Sequence, residues 1–217
     1  MESFPNPIIL LAALTILGLA PFIAIMVSSF IKLVIVMHIV RTALGLQQEP
    51  PNIAVSGIAI ILSLYIMAPV AMETYEQFNR YGVSIEDIRN PQLFDALSNS
   101  TEPLRQFLTK HSDASEREFF VQTTAKLWPE KYSQNMTAEH LLVLTPAFMV
   151  SELTKAFQIG FLIFLPFIVI DLVISNLLMS MGMMMLSPMT ISLPFKLLLF
   201  VLVDGWSRLI HGLILSY

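Results

Sequence analysis

PAFMVSELTKAFQIGFLIFLPFIVIDLVISNLLMSMGMMMLSP, residues 146 to 188, is one long apolar run crossed by three charges and closed by a cluster of methionines. Between Lys155 and Asp171 stand 15 uncharged residues. At roughly 1.5 Å each they cover about 22 Å, short of the ~30 Å hydrocarbon core of a bilayer. Ionisable groups are costly in hydrocarbon, so Asp171 must face a protein partner or an aqueous path, or the hairpin must be held by protein rather than lipid. The stretch therefore specifies a membrane-associated helical hairpin that belongs to an assembly.

The surrounding sequence extends this into an all-α reading. The chain has 217 residues, 55% of them hydrophobic and 13% charged, with a mean hydropathy of +0.72, outside the range of soluble globular domains. Charges divide it into an N-terminal hydrophobic hairpin over 1–72, a polar helical domain over 73–140 and a C-terminal hydrophobic hairpin over 141–217. The first apolar stretch runs from Pro7 to about Met37, where Lys32, His38 and Arg41 mark its far end, and the second is uncharged from Pro50 to Met72; both are long enough to span. Residues 3 to 31 carry no charge, and a run so long without a basic n-region is expected to be retained rather than cleaved as a signal peptide. Pro21, Pro69, Pro146 and Pro166 fall inside the apolar stretches and favour kinks whose freed backbone groups neighbouring helices must satisfy.

The polar block holds seven Lys or Arg and eleven Asp or Glu. Asn90 followed by Pro91 sets an N-cap with proline at the first helical position, and Pro103 similarly precedes Leu104, Phe107 and Leu108. A third helix is expected from Ser112 or Asp113 through Phe119, Phe120, Thr123 and Leu127, stopping at Trp128-Pro129.

Several chemistries find no support. There is no cysteine, hence no disulfide framework, thiolate metal site or cysteine nucleophile. His38, His111, His140 and His211 show no metal-ligand spacing, and there is no GxSxG elbow, P-loop or GxGxxG loop. Neither an enzyme nor a cofactor is expected. The net charge of -4 and the scattered basic residues argue against nucleic acid as a partner. One rival function stays open on residues alone: a small proton-coupled transporter using Asp171 and Lys196 as a buried charge site.

The run from Pro146, together with SFIKLVIVMHIVRTALGLQQEPPN from Ser29 and PFKLLLFVLVDGW from Pro194 to Trp206, closely resembles the FliP/SctR family, core export-gate subunits of flagellar and virulence-associated type III secretion systems. The resemblance covers nearly the whole chain and is weakest in the polar block. Flagellar members usually carry a longer, cleavable N-terminus, so this chain is most similar to the injectisome branch, SctR of the YscR type.

The resemblance implies a homo-oligomer, a pentamer in relatives, assembled with SctS and SctT subunits into a helical, cone-like gate. That gate passes unfolded secreted proteins across the bacterial inner membrane and lies largely toward its periplasmic side. By the same resemblance Met183, Met184 and Met185 form a gasket at the narrowest part of the pore, with Gly182 and Ser187-Pro188 supplying the turn. Flexible, unbranched thioethers suit a seal that must exclude water and still deform around passing chains. The bland alternative is that these methionines fill gaps in a core. Glu152 and Lys196 correspond to family positions expected to pair at or near a subunit interface, against a local pairing of Glu152 with Lys155 at i, i+3. Asp171, Asp204 and Trp206 are expected to pack or to cap helices.

Overall fold

The structure is a computed structural model that describes residues 7–46, 49–82, 91–183 and 185–217. Among these there is no strand, and ten helices succeed one another: α1 Pro7–Met26, α2 Phe30–Ala43, α3 Asn52–Arg80, α4 Pro91–Ser100, α5 Glu102–His111, α6 Ala114–Leu127, α7 Glu130–Ser133, α8 Leu141–Ser180, α9 Pro188–Leu202 and α10 Gly205–Leu215. The third polar helix keeps its expected bounds, since Asp113 sits at the N-cap of α6 and Trp128 at its C-cap. Pro103 lies in the first turn of α5, whereas the Asn90 cap falls outside the described residues.

The first apolar stretch does not run as one helix to Met37. It breaks after Met26, and the chain turns by 64° into α2. The cause is the polarity of the residues just past the break. Ser29 is buried with its hydroxyl donating to Ser63 Oγ at 3.1 Å, and Lys32 is buried against α8. A lysine two residues into α2 has to be turned into protein rather than lipid to find a counter-charge. A second break, of 60°, separates α9 from α10. Both breaks fall between helices, while Pro21, Pro69, Pro146 and Pro166 all lie inside unbroken helices.

Helix α2 is the centre of the molecule. Leu33, Val36, Met37, Val40 and Ala43 pack with Val55 and Ala59 of α3, Ala156 and Phe167 of α8, Phe200 of α9, and Leu209 and Leu213 of α10. Gly160 of α8 permits a close approach to α2, because a Cβ there would overlap the Ile39 side chain. A second cluster joins the polar helices to the hydrophobic ones, with Phe107 and Leu108 of α5 against Leu144 and Phe148 of α8. Helix α8 has 40 residues, about 60 Å at roughly 1.5 Å each, twice the hydrocarbon thickness. Among the described residues α3 and α8 are each long and apolar enough to cross a membrane, with the bent pairs α1–α2 and α9–α10 as two further spans if each counts as one.

Candidate functional site

Both ends of the buried helix α2 are fastened by a lysine. Near its start the Lys32 ammonium lies 3.2 Å from Glu152 Oε2, with both side chains almost wholly buried at 2% and 1% exposure. A cation in the first turn of a helix is disfavoured by the helix dipole, and the Glu152 carboxylate offsets that. Tyr217, the last residue of the sequence, closes the node: its hydroxyl donates to Glu152, and the Lys32 ammonium sits 3.4 Å from the centre of its ring, within cation–π range. Burial and the adjacent Glu152 carboxylate push the Tyr217 phenol well above its usual value of 10.0. Lys155 flanks the node at 3.9 Å from Glu152 Oε1, 3.5 Å from Asp113 and 2.7 Å from the His111 carbonyl to which it donates.

At the far end of α2, Lys196 of α9 donates to the Ala43 carbonyl at 3.1 Å and to Asp171 Oδ2 of α8 at 2.6 Å. Here the cation meets a helix C-terminus, where the dipole favours it. Ser192, fully buried, donates to Asp171 Oδ1 at 2.6 Å. One knot thus joins α2, α8 and α9.

The two charges expected to pair with each other have separate partners within the chain: Glu152 takes Lys32, with Lys155 as a more distant neighbour, and Lys196 takes Asp171. Burial explains the choice, because each lysine lies inside the fold and needs an acid within its own chain. Asp171 is correspondingly more than a packing residue. Asp204 stands at the α9–α10 break with φ 52° and makes no side-chain cap bond, and Trp206 packs edge-on against Phe200 at 5.4 Å. Sequence reasoning missed Lys32 and Tyr217. A lysine amid FIKLVIV with no acid near it in sequence was the available signal for the first, and for Tyr217 there was none.

Beyond the Asp171 knot, α8 runs on and ends in a Schellman turn: Gly182, at φ 72°, donates its N–H to the Met179 carbonyl at 3.1 Å, and Met183 donates to Leu178 at 2.9 Å. Glycine adopts this left-handed conformation without a Cβ penalty. Pro188 then opens α9 as its first residue. Met181, Met183, Met185 and Met189 are all exposed, Met185 completely; Met184 lies outside the described residues. Within the chain the described methionines of this turn fill no core.

The FliP family profile matches residues 13–213. The chain belongs to the FliP family. It is 54% identical over 217 residues to the Yop proteins translocation protein R of Yersinia pestis, covering 100% of this chain and 99% of the relative. Over 99% of both chains it is 46% identical to the virulence protein YscR of Salmonella typhimurium. It is 45% identical to the hypersensitivity response secretion protein HrcR of Ralstonia nicotianae, across 99% of this chain and 98% of that one. With its long apolar helices, this FliP-family chain is a membrane-embedded protein. Among its described residues no group of three or more His, Asp or Glu could hold a metal ion.

Proposed function

We propose that this chain is the core pore-forming subunit of a type III secretion export gate of the injectisome kind, passing unfolded proteins across the bacterial inner membrane. Copies of it, five by resemblance, assemble with SctS- and SctT-type subunits into a cone whose polar unit, 73–140, lies on the periplasmic side between the hydrophobic hairpins 1–72 and 141–217. The observation that carries this reading is the methionine turn. It presents Met181, Met183 and Met185 at the tip of an apolar hairpin, where their own chain leaves all three exposed. Flexible apolar side chains in that position suit a deformable seal made with other copies, Met183 to Met185 forming the gasket. Relatives named for translocation, virulence and secretion support the same function. The solute-transporter reading is not favoured, because the Asp171–Lys196 pair it would use is bonded within the fold to Ser192 and the Ala43 carbonyl and the relatives are named for translocation and secretion.

The test replaces Met183 and Met185 with Ala in the complex reconstituted with its SctS- and SctT-type partners. The complex should still assemble, since the side chains contribute little to packing within the chain, and it should leak small ions as every copy widens the constriction together. Leu replacements should seal but slow export, because branched side chains adapt less readily. Were the methionines core fillers, the Ala variant would instead lose assembly through cavities costing roughly 2 to 5 kcal/mol per buried Met. An assembled Ala variant with unchanged conductance would sink the gasket.

A further inference from the structure

We propose that Asp171, Ser192 and Lys196 are positioning residues for the methionine seal: their buried polar knot is the last fixed point from which the hairpin tip is aimed. This rests on the seal reading and adds to it the residues that hold the seal in place. Past the knot the hairpin is barely held by its own chain. Among the described residues from 172 to 191, Leu178 alone is buried. The Schellman bonds at Gly182 and Met183 join neighbouring residues of the tip to one another and do not anchor it to the rest of the chain. At the knot everything changes. Ser192 and Lys196 are buried, at 0% and 3% exposure, and both donate to Asp171 across the hairpin at 2.6 Å. Lys196 also donates to Ala43, which ties the hairpin to the most enclosed helix of the fold.

Charge-assisted bonds this short are directional, so they fix the register of α9 against α8 in a way that apolar contacts alone would not. A seal needs that register, since side chains from every copy must arrive at one level for the constriction to close. Asp171 is the more accessible member, its side chain 40% exposed while Lys196 is enclosed, and Ser192 is the member whose removal leaves the ion pair intact.

The sequence contains no cysteine, so Leu186→Cys provides a single spin-labelling site per copy at the tip. In the reconstituted complex, labels on neighbouring copies should broaden one another's spectra. Ser192→Ala, which removes one bond and leaves the ion pair, should weaken that broadening and raise ion conductance while complex yield on native gels stays unchanged. Asp171→Ala leaves Lys196 buried without its counter-charge and should lower yield; in the complex that still assembles it should abolish the broadening and raise conductance several-fold, and Asp171→Glu, which keeps the charge, should restore both. A merely structural role would lower yield and thermal stability while broadening and conductance per assembled complex stay at the parental level. Broadening and conductance that stay at the parental level in an assembled variant overturn the positioning role. Absence of broadening in the Leu186→Cys parent, with no leak from the Met183 and Met185 replacements, overturns the seal reading itself.

Discussion

Glu152 shows how a buried charge can be explained by the chain that carries it. An unpaired ion at 1% exposure would cost on the order of 3 to 5 kcal/mol, and the sequence supplies Lys155 and Lys196 as evident partners. The fold keeps Lys155 at 3.9 Å and adds a closer partner, Lys32, from far along the chain, together with Tyr217 from its last position. His111 borders the same node, with Phe107 and Tyr217 against its ring at 4.7 Å and 5.0 Å. Burial, with Lys110, Lys32 and Lys155 nearby, pushes its imidazole from 6.5 down to about 4. Since the folded value is depressed, the unfolded chain takes up the proton first. Stability should therefore hold above pH 6.5, fall as pH drops from about 6.5 to 4, and level off below. A shift of this size corresponds to up to about 3 kcal/mol. Thermal unfolding in detergent across that window should show the slope in the parent and a flatter profile in His111→Gln; identical profiles would mean the ring stays solvated.

At the scale of helices, the α2–α8 contact depends on Gly160. A methyl group there would meet not only the mobile end of Ile39 but also its Cγ2 at 3.0 Å and its Cβ at 3.2 Å, and no rotamer change moves that Cβ. Replacing Gly by Ala gains about 1 kcal/mol of helix propensity, whereas overpacking costs roughly 1 to 3 kcal/mol, so Gly160→Ala should destabilise on balance. Adding Ile39→Ala should recover much of the loss, and a Gly160→Ala melting temperature at or above the parent's would show that α2 and α8 can separate cheaply. Of these elements, α5, α6 and the turn at Gly182 were legible because proline, Asp113 and glycine act within a few residues of where they stand. The break after Met26 was not legible. Its cause is the burial of Ser29 and Lys32 against Ser63 and Glu152, partners that no local pattern reveals. The same distance hid the Lys32–Glu152–Tyr217 node, although the charges themselves announced that something had to compensate them.

The whole molecule leaves much of its apolar surface uncovered. Phe157, Phe161, Leu162, Leu165, Val169 and Leu172 stand exposed along α8, all but the last in the interval of about 22 Å between Lys155 and Asp171 that is too short to cross the ~30 Å hydrocarbon core. A purely lipid-facing span here would draw an ionisable group into hydrocarbon. In the proposed gate neighbouring subunits cover this face instead, and the rings of Phe157 and Phe161, at 62% and 61% exposure, would then be buried only on assembly. Each buried ring contributes about 2 kcal/mol, so Phe157→Ala with Phe161→Ala should weaken subunit association by on the order of a thousandfold. Because neither ring is enclosed within the chain, the melting temperature of the separated subunit should stay close to the parent's. Native mass spectrometry of the gently extracted complex would show the shift toward smaller species. Retention of the full oligomer at the same protein concentration would mean that this face of α8 meets lipid along its whole length, and that the copies join through other surfaces.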